Sequence, residues 1–110
     1  MTNGIEIHRY LTRTGRDIFG EWLAGLKDVR TRAKILTRID RLSMGNFGNC
    51  KSLQETLFEL RIDWGPGYRV YYARVGPDCV LLLCGGDKRK QSSDIQRALK
   101  YLEDYRERAR

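Results

Sequence analysis

The chain has 110 residues, 41% hydrophobic and 32% charged, which fits one globular domain and excludes disordered and collagen-like polymers. Lysine and arginine number 21 against 14 acids, a formal charge of +7 that favours polyanionic partners: RNA, DNA or anionic lipid. Met1–Glu6 lacks the regions of a signal peptide, no apolar run approaches the ~20 residues of a membrane span, and an odd count of 3 cysteines suggests no disulfide framework, so a soluble cytoplasmic domain over residues 1–110 is expected.

Ile5 to Leu11 reads as a first strand. Thr14 reads as the N-cap of a helix carrying Ile18, Phe19, Trp22, Leu23 and Leu26 at helical spacing. Asp28 caps a second helix that runs to about Met44, with Val29, Ala33, Leu36, Ile39 and Leu42 on its apolar side and Gly45 ending it. Leu57 to Ile62 alternates, with Phe58, Leu60 and Ile62 on one face and Glu59 and Arg61 on the other. Trp64-Gly65-Pro66-Gly67 turns the chain into a strand from Tyr68 to Val75, on which Arg69 and Tyr71 share a face. Gly76-Pro77-Asp78 makes a hairpin turn, and Val80 to Cys84 is apolar throughout, as in a central strand covered on both faces. Cys79 and Cys84 in this run read as buried reduced thiols. Ser93 and Gln96 form a capping box for a last helix with Ile95, Ala98, Leu99, Leu102 and Tyr105 on one face, and Arg106 to Arg110 are expected to fray. The order β-α-α, β-meander, α predicts an α+β domain with a mostly antiparallel sheet packed against helices.

Three basic groupings are candidates for anion chemistry. Arg30, Lys34, Arg38 and Arg41 fall within an arc of roughly 80° on the second helix, with no acidic partner inside the stripe. They read either as a solvated face or as a phosphate contact. Gly85-Gly86-Asp87-Lys88-Arg89-Lys90 joins the apolar strand to a helix start; two glycines, three cations and free helix N–H groups describe an anion site or an ordinary turn. Arg61 and Arg69 lie on neighbouring strands, opposite the apolar positions, and fit either an ion pair with Glu59 or a guanidinium pair aimed at phosphate from an open sheet face. His8 is the only histidine, and Cys50, Cys79 and Cys84 lack zinc-finger spacing, so no metal or cofactor is expected.

Gly45-Asn46-Phe47-Gly48-Asn49-Cys50-Lys51, Glu59-Leu60-Arg61-Ile62, Gly65-Pro66-Gly67-Tyr68-Arg69-Val70-Tyr71-Tyr72 and Leu83-Cys84-Gly85-Gly86-Asp87-Lys88 together resemble the RelE/ParE superfamily of bacterial toxins. The closest likeness is to its HigB-like branch of addiction module killer proteins, and it covers nearly the whole chain. It implies a RelE-like (microbial-ribonuclease-like) fold and a type II toxin, silenced by an antitoxin encoded beside it that is expected to be a helix-turn-helix protein. RelE- and HigB-like members cut mRNA in the ribosomal A site, whereas ParE-like members poison DNA gyrase. By position, Arg69 matches an arginine used at the scissile phosphate, Lys88 or Arg89 matches a later basic residue, and Arg61 matches the arginine that ends the Glu-Leu-Arg pattern. Two positions depart from RelE: Leu57 and Glu59 stand where it has lysines, and Asp94 or Ile95 where it has a tyrosine.

The resemblance thus implies a ribosome-dependent endoribonuclease in which a ribose 2′-OH attacks its own 3′-phosphate and a 5′-OH leaves. Arg69 and Arg61 would hold the phosphorane charge, Lys88 or Lys90 with Arg89 beside them would assist proton transfer, and Tyr71 would help. Arg30, Lys34, Arg38, Arg41 and Lys51 would contact ribosomal RNA and mRNA. A non-enzymatic gyrase inhibitor and a plain nucleic-acid-binding module are the alternatives.

Overall fold

The alternating strands of the second half form the middle of the molecule. The computed structural model describes residues 4–110; Met1–Asn3, the start of the stretch read for a leader, lies outside them. Within the described residues the order is β1 (Glu6–Arg9), α1 (Ile18–Gly25), α2 (Val29–Ser43), β2 (Cys50–Gln54), β3 (Leu57–Ile62), β4 (Tyr68–Gly76), β5 (Cys79–Asp87), a 3-10 turn (Lys88–Lys90) and α3 (Gln91–Arg108). The strands form one sheet in the order β1-β5-β4-β3-β2. Only β1 runs parallel to its neighbour; β2 to β5 are antiparallel, so the sheet is mixed and the class is α+β. No helix among the described residues is long and apolar enough to cross a membrane.

Helices cover both faces of the sheet. Phe19 and Leu23 of α1 and Ile35, Ile39 and Leu42 of α2 bury against Leu60, Ile62, Val70, Tyr72, Val80 and Leu82. On the other face, Ala98 and Leu102 of α3 bury against Leu57, Tyr71, Ala73, Leu81, Leu83 and Cys84. A bulge between Tyr71 and Tyr72 lets Leu83 and Cys84 both turn toward α3. The face carrying Arg61 and Arg69 is therefore not an open sheet face; α3 roofs it.

Several boundaries differ from the sequence expectation. The first strand is shorter, with Leu11 only bridging Asp17. Asp17, not Thr14, caps α1, its carboxylate accepting from Gly20 N–H at 2.9 Å. Asp28 does cap α2, accepting from Arg30 N–H at 3.0 Å. Its buried side is Thr31, Ile35, Ile39 and Leu42, whereas Val29 and Leu36 are 66% and 42% exposed. Edge strand β2 was not foreseen. Gly85, Gly86 and Asp87 belong to β5 rather than to a loop, and α3 starts at Gln91, ahead of Ser93. The helix continues to Arg108, where the Arg108 guanidinium bridges to Asp104 at 2.7 Å, so most of the tail is ordered helix. Cys84 is buried, but Cys79 is only half-buried.

Candidate functional site

Antiparallel register places Arg61 directly opposite Arg69, and Arg69 in turn opposite Gly86. Residues that alternate on adjacent strands project to one side, here the side roofed by α3. Glu59, two residues before Arg61, points the same way and is completely buried. Its carboxylate accepts from Arg61 Nε at 2.9 Å and from Gln91 Nε2, in the first turn of α3, at 2.6 Å. Arg69 Nε lies 3.6 Å from the same carboxylate, inside ion-pair range but beyond a hydrogen bond, and it has no acceptor. Both open readings of this pair thus have a physical counterpart: the ion pair exists, and Arg69 keeps a donor unfilled.

Lys88 reaches the same corner. Its backbone N–H donates to Gly67 O at 3.1 Å, which ties the end of β5 to the β3–β4 turn. Gly67 adopts φ +90°, the left-handed region that glycine tolerates. A methyl group there would lie 3.5 Å from Lys88 Cδ and 3.6 Å from an Arg69 Nη, so Gly67 is the small floor between two cations. Arg89 turns back onto Asp87 at 2.9 Å, and that hydrogen bond holds the Asp87 carboxyl below its ordinary value. Lys90 is exposed at the head of α3. Lys51 is exposed on β2, opposite Glu59, and so lies on the same side of the sheet as the arginines.

Beneath the first turn of α3 two more polar atoms are buried without partners, the Tyr71 hydroxyl and Asp94 Oδ2. Burial, with the nearby Glu59 and Asp94 charges, pushes the Tyr71 pKa up, so the phenol stays protonated at neutral pH. Tyr71 has no exposure in this conformation. Asp94 pairs with Arg97 at 2.9 Å and lies over Gly86. The two glycines admit protein groups: Trp22 lies over Gly85 and Asp94 over Gly86.

The helix stripe divides. Arg30, Lys34 and Arg41 have no carboxylate partner among the described residues. Arg38 instead donates to Phe47 O at 3.3 Å and Asn49 O at 3.4 Å, and Gly48 lies against its guanidinium. Burial and the Arg41 charge lower its pKa. Arg38 is thus engaged with the chain's own loop as well as facing the stripe. The stripe forms one wall of a groove of about 430 Å³, closed on the other side by Ile62, Asp63 and Trp64. Lys34 Nζ sits 4.8 Å above the Trp64 ring.

Sequence reasoning missed the parts played by Gln91, Asp94 and Trp64. The spacing of Gln91 and Asp94, three apart in a helix's first turn, was readable as one face. Trp64 was read only as turn chemistry. Among the described residues no three His, Cys, Asp or Glu side chains are grouped to hold a metal ion.

Comparison with known proteins adds two findings. The family described as "Phage derived protein Gp49-like (DUF891)" matches residues 21–103, which include every element from α2 to β5 and most of α3. A Haemophilus influenzae protein (strain ATCC 51907 / DSM 11121 / KW20 / Rd), described as an uncharacterized protein, is 54% identical over 80 residues, 73% of this chain and 81% of that protein.

Proposed function

We propose a function from one premise: this chain belongs to the phage-derived Gp49-like family. On that footing it is the toxin of a type II toxin–antitoxin pair, of the HigB-like branch with a RelE-like fold, and it cuts mRNA on the ribosome. A small helix-turn-helix antitoxin, acidic where it touches the toxin's +7 surface, is its silencing partner. Ribosome and mRNA are its target.

Support for cleavage comes from one corner of the molecule, where Arg61 and Arg69 are paired across β3 and β4 and Lys88 stands across Gly67 from Arg69. In the in-line attack a ribose 2′-OH passes its proton to solvent water, bonds to its own 3′-phosphate to form a cyclic phosphate, and expels the 5′-oxygen. Charge accumulates on the equatorial phosphoryl oxygens, and guanidinium donors already held in place stabilise it without reorganisation. Arg69 carries the unfilled Nε and supplies the main contact; Arg61, held by Glu59, supplies the second. Lys88, with Lys90 and Arg89 beside it, delivers the proton to the departing oxygen. Tyr71, protonated and buried, acts on this site only through its neighbours. Arg30, Lys34, Arg41 and Lys51 hold the RNA, with Arg38 contributing charge from its anchored position.

The test is primer extension on a translated mRNA, with gyrase supercoiling run in parallel, for the wild-type chain and Arg69→Ala. Cleavage by the wild type, lost in a folded Arg69→Ala protein that still binds ribosomes, is the expected result. Inhibited supercoiling with intact mRNA would replace the ribonuclease with a gyrase poison.

A further inference from the structure

We infer that the groove between α2 and the β3–β4 turn is a second nucleic-acid subsite, which seats one unpaired RNA base on the face of Trp64. This rests on the reading of the chain as an RNA-directed protein and adds to it a residue and a mode of contact.

The Trp64 ring is held in place before any ligand arrives. Its Nε1–H donates to Thr31 Oγ1 at 3.1 Å, and the Thr31 hydroxyl donates to the Asp28 carboxylate, also at 3.1 Å. Asp28 is itself fixed as the N-cap of α2. The indole edge is thus locked to the helix, while one ring face looks into the groove under Lys34. Lys34 is exposed, and an ammonium on a four-carbon stem can leave the ring for an incoming phosphate while the base takes its place. Arg30 and Arg41 line the same groove. Aromatic faces flanked by cations are how single strands are held without paired partners, and a duplex offers no free base face.

An acidic amphipathic peptide fits this surface less well. The exposed large apolar residues of α2 are Val29 and Leu36, and neither lines the groove, to which α2 adds only the small apolar side chain of Ala33. At 100° per residue, Leu36 lies 200° from Lys34, on the other side of the helix, so one bound helix cannot engage both. Asp63 in the lining would repel a carboxylate, yet it accepts hydrogen bonds from the N–H groups of a base edge. The groove and the arginine corner also share one turn. Trp64 and Arg69 are five residues apart, which bounds their Cα separation at about 18 Å. A strand crossing this end of the sheet can place a phosphate between Arg69 and Lys88 and a neighbouring base on Trp64.

The experiment titrates a fluorescein-labelled single-stranded RNA hexamer, its matched duplex and a polyglutamate peptide into the full chain, following anisotropy and tryptophan fluorescence. The single strand should quench tryptophan emission, and the duplex should not. Trp64→Leu should weaken hexamer binding roughly 5- to 150-fold, the span expected for one lost stack. Trp64→Phe keeps an aromatic face and should retain binding while losing the quench. Lys34→Glu and Arg41→Glu, at surface positions that leave the core intact, should weaken binding and remove the quench. Equal quenching by duplex, or hexamer binding unchanged in the surface variants, overturns the subsite even if mRNA is cut. Tighter binding of polyglutamate in competition with RNA reassigns the groove to an acidic peptide. A hexamer that binds as described to a chain that cuts no mRNA keeps the subsite and removes only the ribonuclease.

Discussion

Glu59 and Arg69 form an ion pair across β3 and β4, 3.6 Å between carboxylate oxygen and Nε, with the carboxylate fully buried and the arginine side chain 15% exposed. Arg61 shares the carboxylate at 2.9 Å. Any phosphate that enters must compete with this internal anion for the guanidiniums. Removing its charge therefore has two opposite effects. Glu59→Gln should lower the unfolding free energy by about 1–3 kcal/mol, the usual range for a buried hydrogen-bonded charge that loses its complement. It should also tighten the binding of inorganic phosphate, because two guanidiniums lose their counter-charge. Urea unfolding and calorimetric phosphate titration measure the two effects; unchanged stability with unchanged phosphate affinity would show that the carboxylate holds neither arginine.

Arg38 and Lys34 lie on one helix stripe but should respond differently to truncation. Lys34→Ala should reduce the salt dependence of RNA binding by a slope of about 0.7–0.9, the signature of one lost phosphate contact, and leave the melting temperature nearly unchanged. Arg38→Ala removes donors to Phe47 O and Asn49 O, so it should cost about 1–3 kcal/mol of stability and change the salt slope less. Binding isotherms at several salt concentrations, with thermal melts alongside, separate the two. A stable Arg38→Ala with a full loss of slope would make it a phosphate ligand like its neighbours.

This difference marks how far the sequence could be read. A helical wheel places Arg38 beside Lys34, but it does not show that the loop after Gly45 folds back over its guanidinium. The meander was legible because Phe58, Leu60 and Ile62 alternate at strand period, Val80 to Cys84 is a short apolar run, and turns built on Gly65-Pro66-Gly67 and Pro77-Asp78 separate the strands. Asp28 was legible as a cap for the same local reason. The buried side of α2 was misread because Val29, Ala33 and Leu36 keep a helical spacing of their own, alongside Ile35, Ile39 and Leu42. Strand β2 escaped because Cys50-Lys51-Ser52-Leu53-Gln54 is an edge with little apolar alternation. Glu59 was placed on an outer face because alternation assigns sides of a sheet; which side a distant helix will cover is a tertiary fact. The sequence shows Arg61 and Arg69 as neighbours with Glu59 as a candidate ion-pair partner; that the carboxylate is fully buried, lies near Arg69 as well and accepts from Gln91 is a consequence of α3.

Arginine geometry should matter at the proposed cleavage site, beyond charge alone. Arg69→Lys should lose about 10²–10³ in cleavage rate, similar to Arg69→Ala, since an ammonium cannot reproduce a planar two-pronged contact. Lys88→Ala should lose less, because Lys90 stands at the same helix entrance, whereas Arg89 is occupied by Asp87. Single-turnover cleavage on programmed ribosomes gives both numbers. A Lys88→Ala defect larger than that of Arg69→Ala would move the principal charge donor to the 3-10 turn.

The contact between the end of β1 and α3 should fail at both extremes of pH. The Tyr10 hydroxyl donates to Asp104 at 2.6 Å, and Arg13 and Arg108 flank the same carboxylate at 2.8 and 2.7 Å. That hydrogen bond, then the two arginines, hold the Asp104 carboxyl below its ordinary value. A carboxyl whose folded pKa is depressed contributes stability that is present above its unfolded value of about 3.9 and lost as pH falls through the folded one. Tyr10 behaves in the opposite sense: burial and then the Asp104 bond push its pKa up to about 12. Its contribution is present below the unfolded value of about 10 and lost as pH rises toward the folded one. The contact should therefore hold across neutral pH. Asp104→Asn should remove the loss that protonation of this carboxyl adds to the acid limb, making that limb shallower. Tyr10→Phe should flatten the alkaline limb while leaving the rest of the acid limb in place, since Arg13 and Arg108 still face Asp104. Melting temperatures from pH 2 to pH 11 for the three proteins test the assignment. Parallel acid limbs for wild type and Asp104→Asn would mean that another carboxylate governs the loss.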